Sequence, residues 1–179
     1  MLRCLPLVLV IVIAGGCGKP KDLPDLTVRS ADAGELAAFK SELGGRFTPE
    51  QLKPLDTALQ ELQLDAMDRN VPTAEAREQD MLKVVDGKTV REALVLGWQA
   101  RHRRFLRETA LLTGLLDNDL KLQQKTAATG TPQTVLDRIQ SEKTVIAQLQ
   151  ANLAETDRQL TEWGVAPGPV TASKRVQKP

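Results

Sequence analysis

The chain has 179 residues, with 24 Lys plus Arg against 23 Asp plus Glu, a formal net charge of +1 and no Tyr. So even a balance gives no electrostatic reason to bind nucleic acid. A single histidine, His102, excludes two-histidine metal sites and leaves Ser-His-Asp and Cys-His constellations incomplete.

In chain order, the first predicted element is a targeting segment over residues 1–16. Arg3 is its positive start, Leu5 to Ile13 its apolar run, and Ala14, Gly15 and Gly16 a small-residue cleavage site directly before Cys17. The run is too short for a bilayer helix, which needs about 20 apolar residues. Ala14 to Cys17 resembles the lipobox of bacterial lipoproteins. The resemblance implies a signal peptide removed after Gly16, an acylated Cys17 as the membrane anchor, and no internal disulfide once Cys4 has left. Gly18 stands where lipoproteins kept in the inner membrane typically carry Asp, so the resemblance implies the outer membrane, facing the periplasm. Two or more acyl chains anchor durably where one binds only marginally. Residues 17–30, with Pro20 and Pro24 among charges, read as a lipidated tether reaching up to about 40 Å.

Residues 31–163 read as one helical domain. Asp32 with Glu35 starts a short helix bearing Leu36, Phe39 and Leu43 and stopping at Gly44-Gly45. In "FTPEQL", Thr48 is an N-cap, Pro49 the first helical residue and Gln51 the reciprocal partner, with Phe47 placed to staple onto Leu52. Leu52, Leu55, Leu59 and Leu62 mark an apolar stripe, and Pro54 is expected to delay or kink this second helix. Thr73 caps a third helix that runs through Met81, Leu82, Val84 and Val85 to the Asp86-Gly87 turn.

Thr89 and Glu92 form another capping box and open a helix free of Pro to Thr126, about 55 Å at 1.5 Å per residue. After the "AATGTPQ" break, Val135, Ile139, Glu142, Ile146, Leu149, Leu153, Thr156, Leu160 and Trp163 alternate spacings of four and three, the seam of a left-handed coiled coil. Two long helices joined by a short loop predict an antiparallel hairpin. On the first of them, Leu94, Trp98, Phe105, Leu112, Leu115 and Leu122 keep the same 3.5 spacing, interrupted by Arg101, Glu108 and Asp119. Either the stripe turns along the helix, using Leu111 and Leu116, or its middle packs less tightly. Strand patterns are missing, so the expected fold is all-α: short N-terminal helices packed on a long antiparallel helical hairpin with a coiled-coil-like seam. Residues 164–179 read as a disordered basic tail.

Charge is segregated: residues 30–86 hold 6 basic and 12 acidic residues, and residues 87–126 hold 8 basic and 4 acidic. Arg101, Arg103, Arg104 and Arg107 form the one candidate binding cluster, for an anion, a lipid headgroup or an acidic partner. The competing reading pairs them with the acidic first half within the fold. "DND" at Asp117 to Asp119 lacks the glycine and glutamate of a calcium loop. No residue reads as catalytic or metal-ligating, and no cofactor motif is present. Lys178 stands before Pro179 rather than last, unlike the lysine by which an abundant helical lipoprotein is joined to peptidoglycan.

The run Ala37 to Leu94, through "AAFKSEL", "LDTALQEL" and "DGKTVREAL", is similar to a loosely defined group of small helical bacterial lipoproteins of unknown function. That similarity implies an all-helical envelope protein and no activity. The expected function is therefore non-enzymatic: a membrane-anchored spacer or docking surface for an envelope protein partner. The alternative is a periplasmic binding module for a lipid or other anionic ligand. Self-association through the Ile139 to Trp163 seam is a further expectation.

Overall fold

The structure, a computed structural model, describes residues 22–166. The signal segment, Cys17 and most of the basic tail lie outside these residues. A 3-10 turn at Leu23–Asp25 precedes five helices: α1 Ala33–Gly44, α2 Pro49–Asp68, α3 Ala74–Val85, α4 Val90–Thr126 and α5 Gln133–Glu162. The all-α expectation holds, with no extended ladder among the described residues beyond one isolated bridge, Thr27 to Thr89.

The first four α-helices start where a side chain satisfies a free N–H group of the first turn, whereas α5 starts after Pro132 with no side-chain cap. Asp32 accepts from the Glu35 N–H at 2.8 Å, and Thr73 from the Ala76 N–H at 3.1 Å. Thr48 and Gln51 close a reciprocal box at α2. At α4 the Thr89 N–H donates to Glu92 Oε2 at 2.7 Å while the Glu92 N–H donates to Thr89 Oγ1 at 3.2 Å. The Thr89 N–H holds the Glu92 carboxyl below the usual carboxylate range. A depressed carboxyl adds stability above its unfolded pKa that is lost as pH falls through its folded one, so acid loosens this helix start. Thr89→Ala removes one half of the box and is expected to cost about 1 kcal/mol in a urea melt. Pro54 does not interrupt α2, which runs unbroken from Pro49 to Asp68.

Residues 23–30, expected as part of a tether, are instead bound to the α3–α4 turn. The Val28 N–H donates to Lys88 O at 2.7 Å, and the Gly87 N–H and Val90 N–H donate to Val28 O and Leu26 O. Ser30 donates through its N–H to Asp86 Oδ1 at 2.9 Å and through its hydroxyl to Leu82 O at 3.2 Å. Val28 and Ser30 are each only 1% exposed. The segment thus buries an apolar side chain and satisfies its backbone, which a free tether cannot do. Gly87 makes the turn possible with a φ of 70°, a conformation side chains disfavour.

α4 is the central rod. α2 packs along its first half, α3 returns beside α2, and α1 covers α3 and α2, so of the short helices it is α2 that lies along the hairpin. α5 runs back antiparallel along α4, joined by a short loop. Leu36, Phe39, Leu43, Leu55, Leu59, Leu62, Leu82, Val85, Val90, Leu94, Trp98 and Leu160 form one continuous core at this end. Along α5 every predicted seam position is buried or half-buried. That seam is already occupied by α4 of the same chain, so self-association through it would require the hairpin to open.

On α4 the shielded positions run Trp98, His102, Phe105, Thr109, Leu112, Leu116, Asp119, Gln123 and Thr126. The spacing is the predicted 3.5, but alternate members are shifted by one residue from the predicted stripe. Leu111, Leu115 and Leu122 are left 63%, 45% and 39% exposed. The distal seam is consequently more polar than the apolar count of α4 suggested. It is tied by Arg138, which donates through Nε and Nη2 to the Asp119 carboxylate at 2.7 Å each, and by the Thr126 hydroxyl, 3.3 Å from Thr131 Oγ1.

Candidate functional site

The four arginines of "RHRRFLR" sit on α4 where α2 crosses it, and one small contact places them there. A Cβ added to Gly97 would lie 2.4 Å from Ala58 Cα, so the two backbones approach as only glycine allows. Residue numbers rise together along the contact, from Ala58 at Gly97 to Asp65 at Arg103 and Asp68 at Arg107. α2 and α4 are therefore parallel, and the carboxylates of the last two turns of α2 fall on the arginines of α4.

Arg104 grips Glu61 with two charge-assisted bonds, Nη2 to Oε1 at 2.6 Å and Nε to Oε2 at 2.9 Å, and reaches Glu108 Oε1 at 3.1 Å. The Glu61 side chain is 8% exposed and that of Arg104 22%. Hydrogen bonding to Glu61, opposed by burial, holds the Arg104 guanidinium above its ordinary value. Arg101 lies 3.9 Å from Glu61 Oε1 and stacks over the Trp98 and Phe105 rings at 5.0 and 5.1 Å. Arg104 lies over the other side of the cluster, 4.5 Å from the Phe105 centroid. Arg103 donates to Asp65 at 2.9 Å, and Arg107 pairs with Asp68.

All four guanidinium groups thus face carboxylates of their own chain. The acidic first half and the basic helix seen in the sequence meet as one interface. An incoming phosphate or headgroup would compete with Glu61, Asp65 and Asp68 for these arginines. The space among Trp98, Phe105 and Arg104 is filled by Arg101 and Arg104 lying over the two rings. A shallow cleft of about 240 Å³ opens elsewhere, lined by Gln60, Gln63, Leu64, Met67, Ala74 and Arg77. It brings together no group of nucleophilic or general-base type.

His102 is buried in the hairpin seam, its Nε2 3.1 Å from Asp157 Oδ1. No cluster of three metal-ligating side chains occurs among the described residues. None of the described helices is long and apolar enough to cross a membrane.

Two features escaped the sequence reading. The first is Glu61, which belongs to no motif; its one signal is its place on the leucine face of α2, two residues after Leu59. The second is the bare distal face of α4, where Leu111, Leu115 and Leu122 project away from the seam. The class these observations define is an elongated all-α protein whose arginine cluster is paired mainly with its own carboxylates, Arg101 Nε being buried without a hydrogen-bond partner. No protein-family model matches the sequence, nor does any curated protein or solved structure.

Proposed function

We propose that the chain is a non-enzymatic lipoprotein of the bacterial envelope, held by an acylated Cys17 and using its helical hairpin as a spacer and docking surface. The anchor rests on the Ala14 to Cys17 motif after a short apolar run. The observation that carries the mechanical part is the hairpin itself. α4 has 37 residues and α5 has 30, so the rod is about 45 to 55 Å long, and α2 supports only its first half. A rod of this kind on a lipid carries its far end away from the membrane and presents surface there. The ligand-binding alternative has less support, because the arginines it would use are engaged by Glu61, Asp65 and Asp68.

Localisation at the periplasmic face of the outer membrane follows from the same motif and from Gly18. Cys17→Ser in the full-length chain is expected to abolish acylation and to leave a soluble or uncleaved protein after membrane fractionation. An unchanged membrane fraction would retire the lipid anchor.

A further inference from the structure

The distal face of α4 continues the direction of the face that holds α2, with larger apolar side chains and two cations retained. Positions about eighteen residues apart on a helix share a direction, being separated by about five turns. Advancing by that interval takes Ala93 to Leu111, Gly97 to Leu115 and Arg104 to Leu122. The same step takes Arg103 to Lys121 and Arg107 to Lys125. In the proximal half the small and apolar residues receive the leucine stripe of α2, and Arg103 and Arg107 receive its Asp65 and Asp68.

α2 ends at Asp68, level with Arg107, so among the described residues no element continues it over the distal part of this face. There Leu111, Leu115 and Leu122 are exposed, and Lys121 and Lys125 are exposed and form no ion pair among the described residues. The antiparallel pairings of His102 with Asp157 and Asp119 with Arg138 set Val145 of α5 near the level of Leu111 and Leu115. Its helical phase turns it to the same side, and it is 43% exposed.

We propose that this face, bounded by Leu111, Leu115, Leu122, Val145, Lys121 and Lys125, docks an amphipathic helix of a partner protein. The partner helix lies parallel to α4 and end to end with α2, its apolar stripe on the leucines and its bordering carboxylates on the two lysines. Two observations select this occupant. The face is continuous, in the same helical phase, with the established α2–α4 interface, and its unpaired cations stand where that interface places Asp65 and Asp68. The basic tail of this chain has the wrong charge for the site. The inference rests on the docking reading above but not on the lipid anchor. Loss of the Cys17→Ser phenotype would retire the anchor alone, and the binding experiment bears on the surface alone.

The probe is a labelled synthetic peptide carrying residues 49–68, the chemistry of α2, with a photoreactive group, titrated onto the full-length protein in detergent. Saturable binding with cross-links at Leu111 to Leu122 and Val145 is expected. The Leu115→Asp/Leu122→Asp pair should weaken it by about tenfold or more. Lys121→Glu/Lys125→Glu should also weaken it, and a peptide with Asp65→Lys and Asp68→Lys should restore affinity to that variant. The lysine pair tests the same face should the aspartate pair disturb folding, which circular dichroism will show. No saturable binding overturns the proposal. So does binding indifferent to both distal variants, which would mean exchange with the resident α2. Cross-links joining two copies of the chain through this face would overturn it in favour of self-association.

Discussion

Replacing Glu61 by alanine is expected to lower the unfolding free energy by about 1 to 3 kcal/mol, measured by urea denaturation, because it leaves the partly buried Arg104, beside Phe105, with Glu108 as its one carboxylate partner. Arg104 loses its Nε and Nη2 acceptors at once, and Arg101 loses the carboxylate 3.9 Å away. The exposed pairs of this molecule offer no such lever. Lys40 with Asp56 and Arg158 with Glu155 each have both side chains near half-exposed, and pairs of that kind contribute about 0 to 1 kcal/mol. Replacing both partners separates the cost of the stranded charge from the value of the bond: Glu61→Leu with Arg104→Leu should recover much of the loss. A single Glu61→Ala variant within about 0.5 kcal/mol of the parent would show that the cluster is solvated and adds nothing.

The second large effect is at Gly97. Alanine is favoured over glycine in a helix interior by about 0.8 to 1.0 kcal/mol, so on α4 alone Gly97→Ala should stabilise. The contact with Ala58 reverses the sign. An added methyl would lie 2.4 Å from both Cα and Cβ of Ala58 and 2.7 Å from its carbonyl oxygen, and backbone cannot step aside as a flexible side chain can. Overpacking of this kind costs about 1 to 3 kcal/mol and wins over propensity. Gly114 is the control, on the same helix with nothing within 4 Å of the position a Cβ would take. Gly114→Ala is expected to raise stability by about 0.5 to 1 kcal/mol. Equal gains at the two glycines would mean that α2 and α4 do not touch as described. The Gly97 variant should also weaken the registration of Asp65 and Asp68 on the arginines, because the close approach sets that alignment.

These two sites mark where reading the chain alone stops. Helix starts were legible because each rests on a local signal within three residues: Asp32, Thr48, Thr73 and Thr89 each accept from the N–H three positions on. The α5 seam was legible too, since Val135, Ile139, Leu149 and Leu160 repeat at 3.5 residues with few competitors. α4 carries apolar residues on two faces, one for α5 and one for α2, and a helix with two stripes does not declare which partner each will meet. The 3.5 spacing therefore placed Leu115 and Leu122 on the hairpin seam, with a turning stripe through Leu111 and Leu116 as the alternative; Leu116 and Gln123 lie on the seam, and Leu111, Leu115 and Leu122 do not. The tether boundary failed for a related reason. Val28 and Ser30 take their hydrogen bonds from Leu82, Asp86, Gly87 and Lys88, more than fifty residues away, and no local pattern encodes that.

By itself the sequence determined the all-α class, the helix starts, the antiparallel hairpin and the segregation of acidic from basic segments, because capping, periodicity and composition act over a few residues. Only the tertiary structure decided that α2 lies parallel on the first half of α4, that Glu61 is buried under two arginines, and that the second half of the same face is left bare. The reason is geometric: a glycine at Gly97 and an alanine at Ala58 are unremarkable in separate helices, and their meaning exists only once the backbones meet. Where α2 ends along α4 then fixes which leucines are core and which are surface.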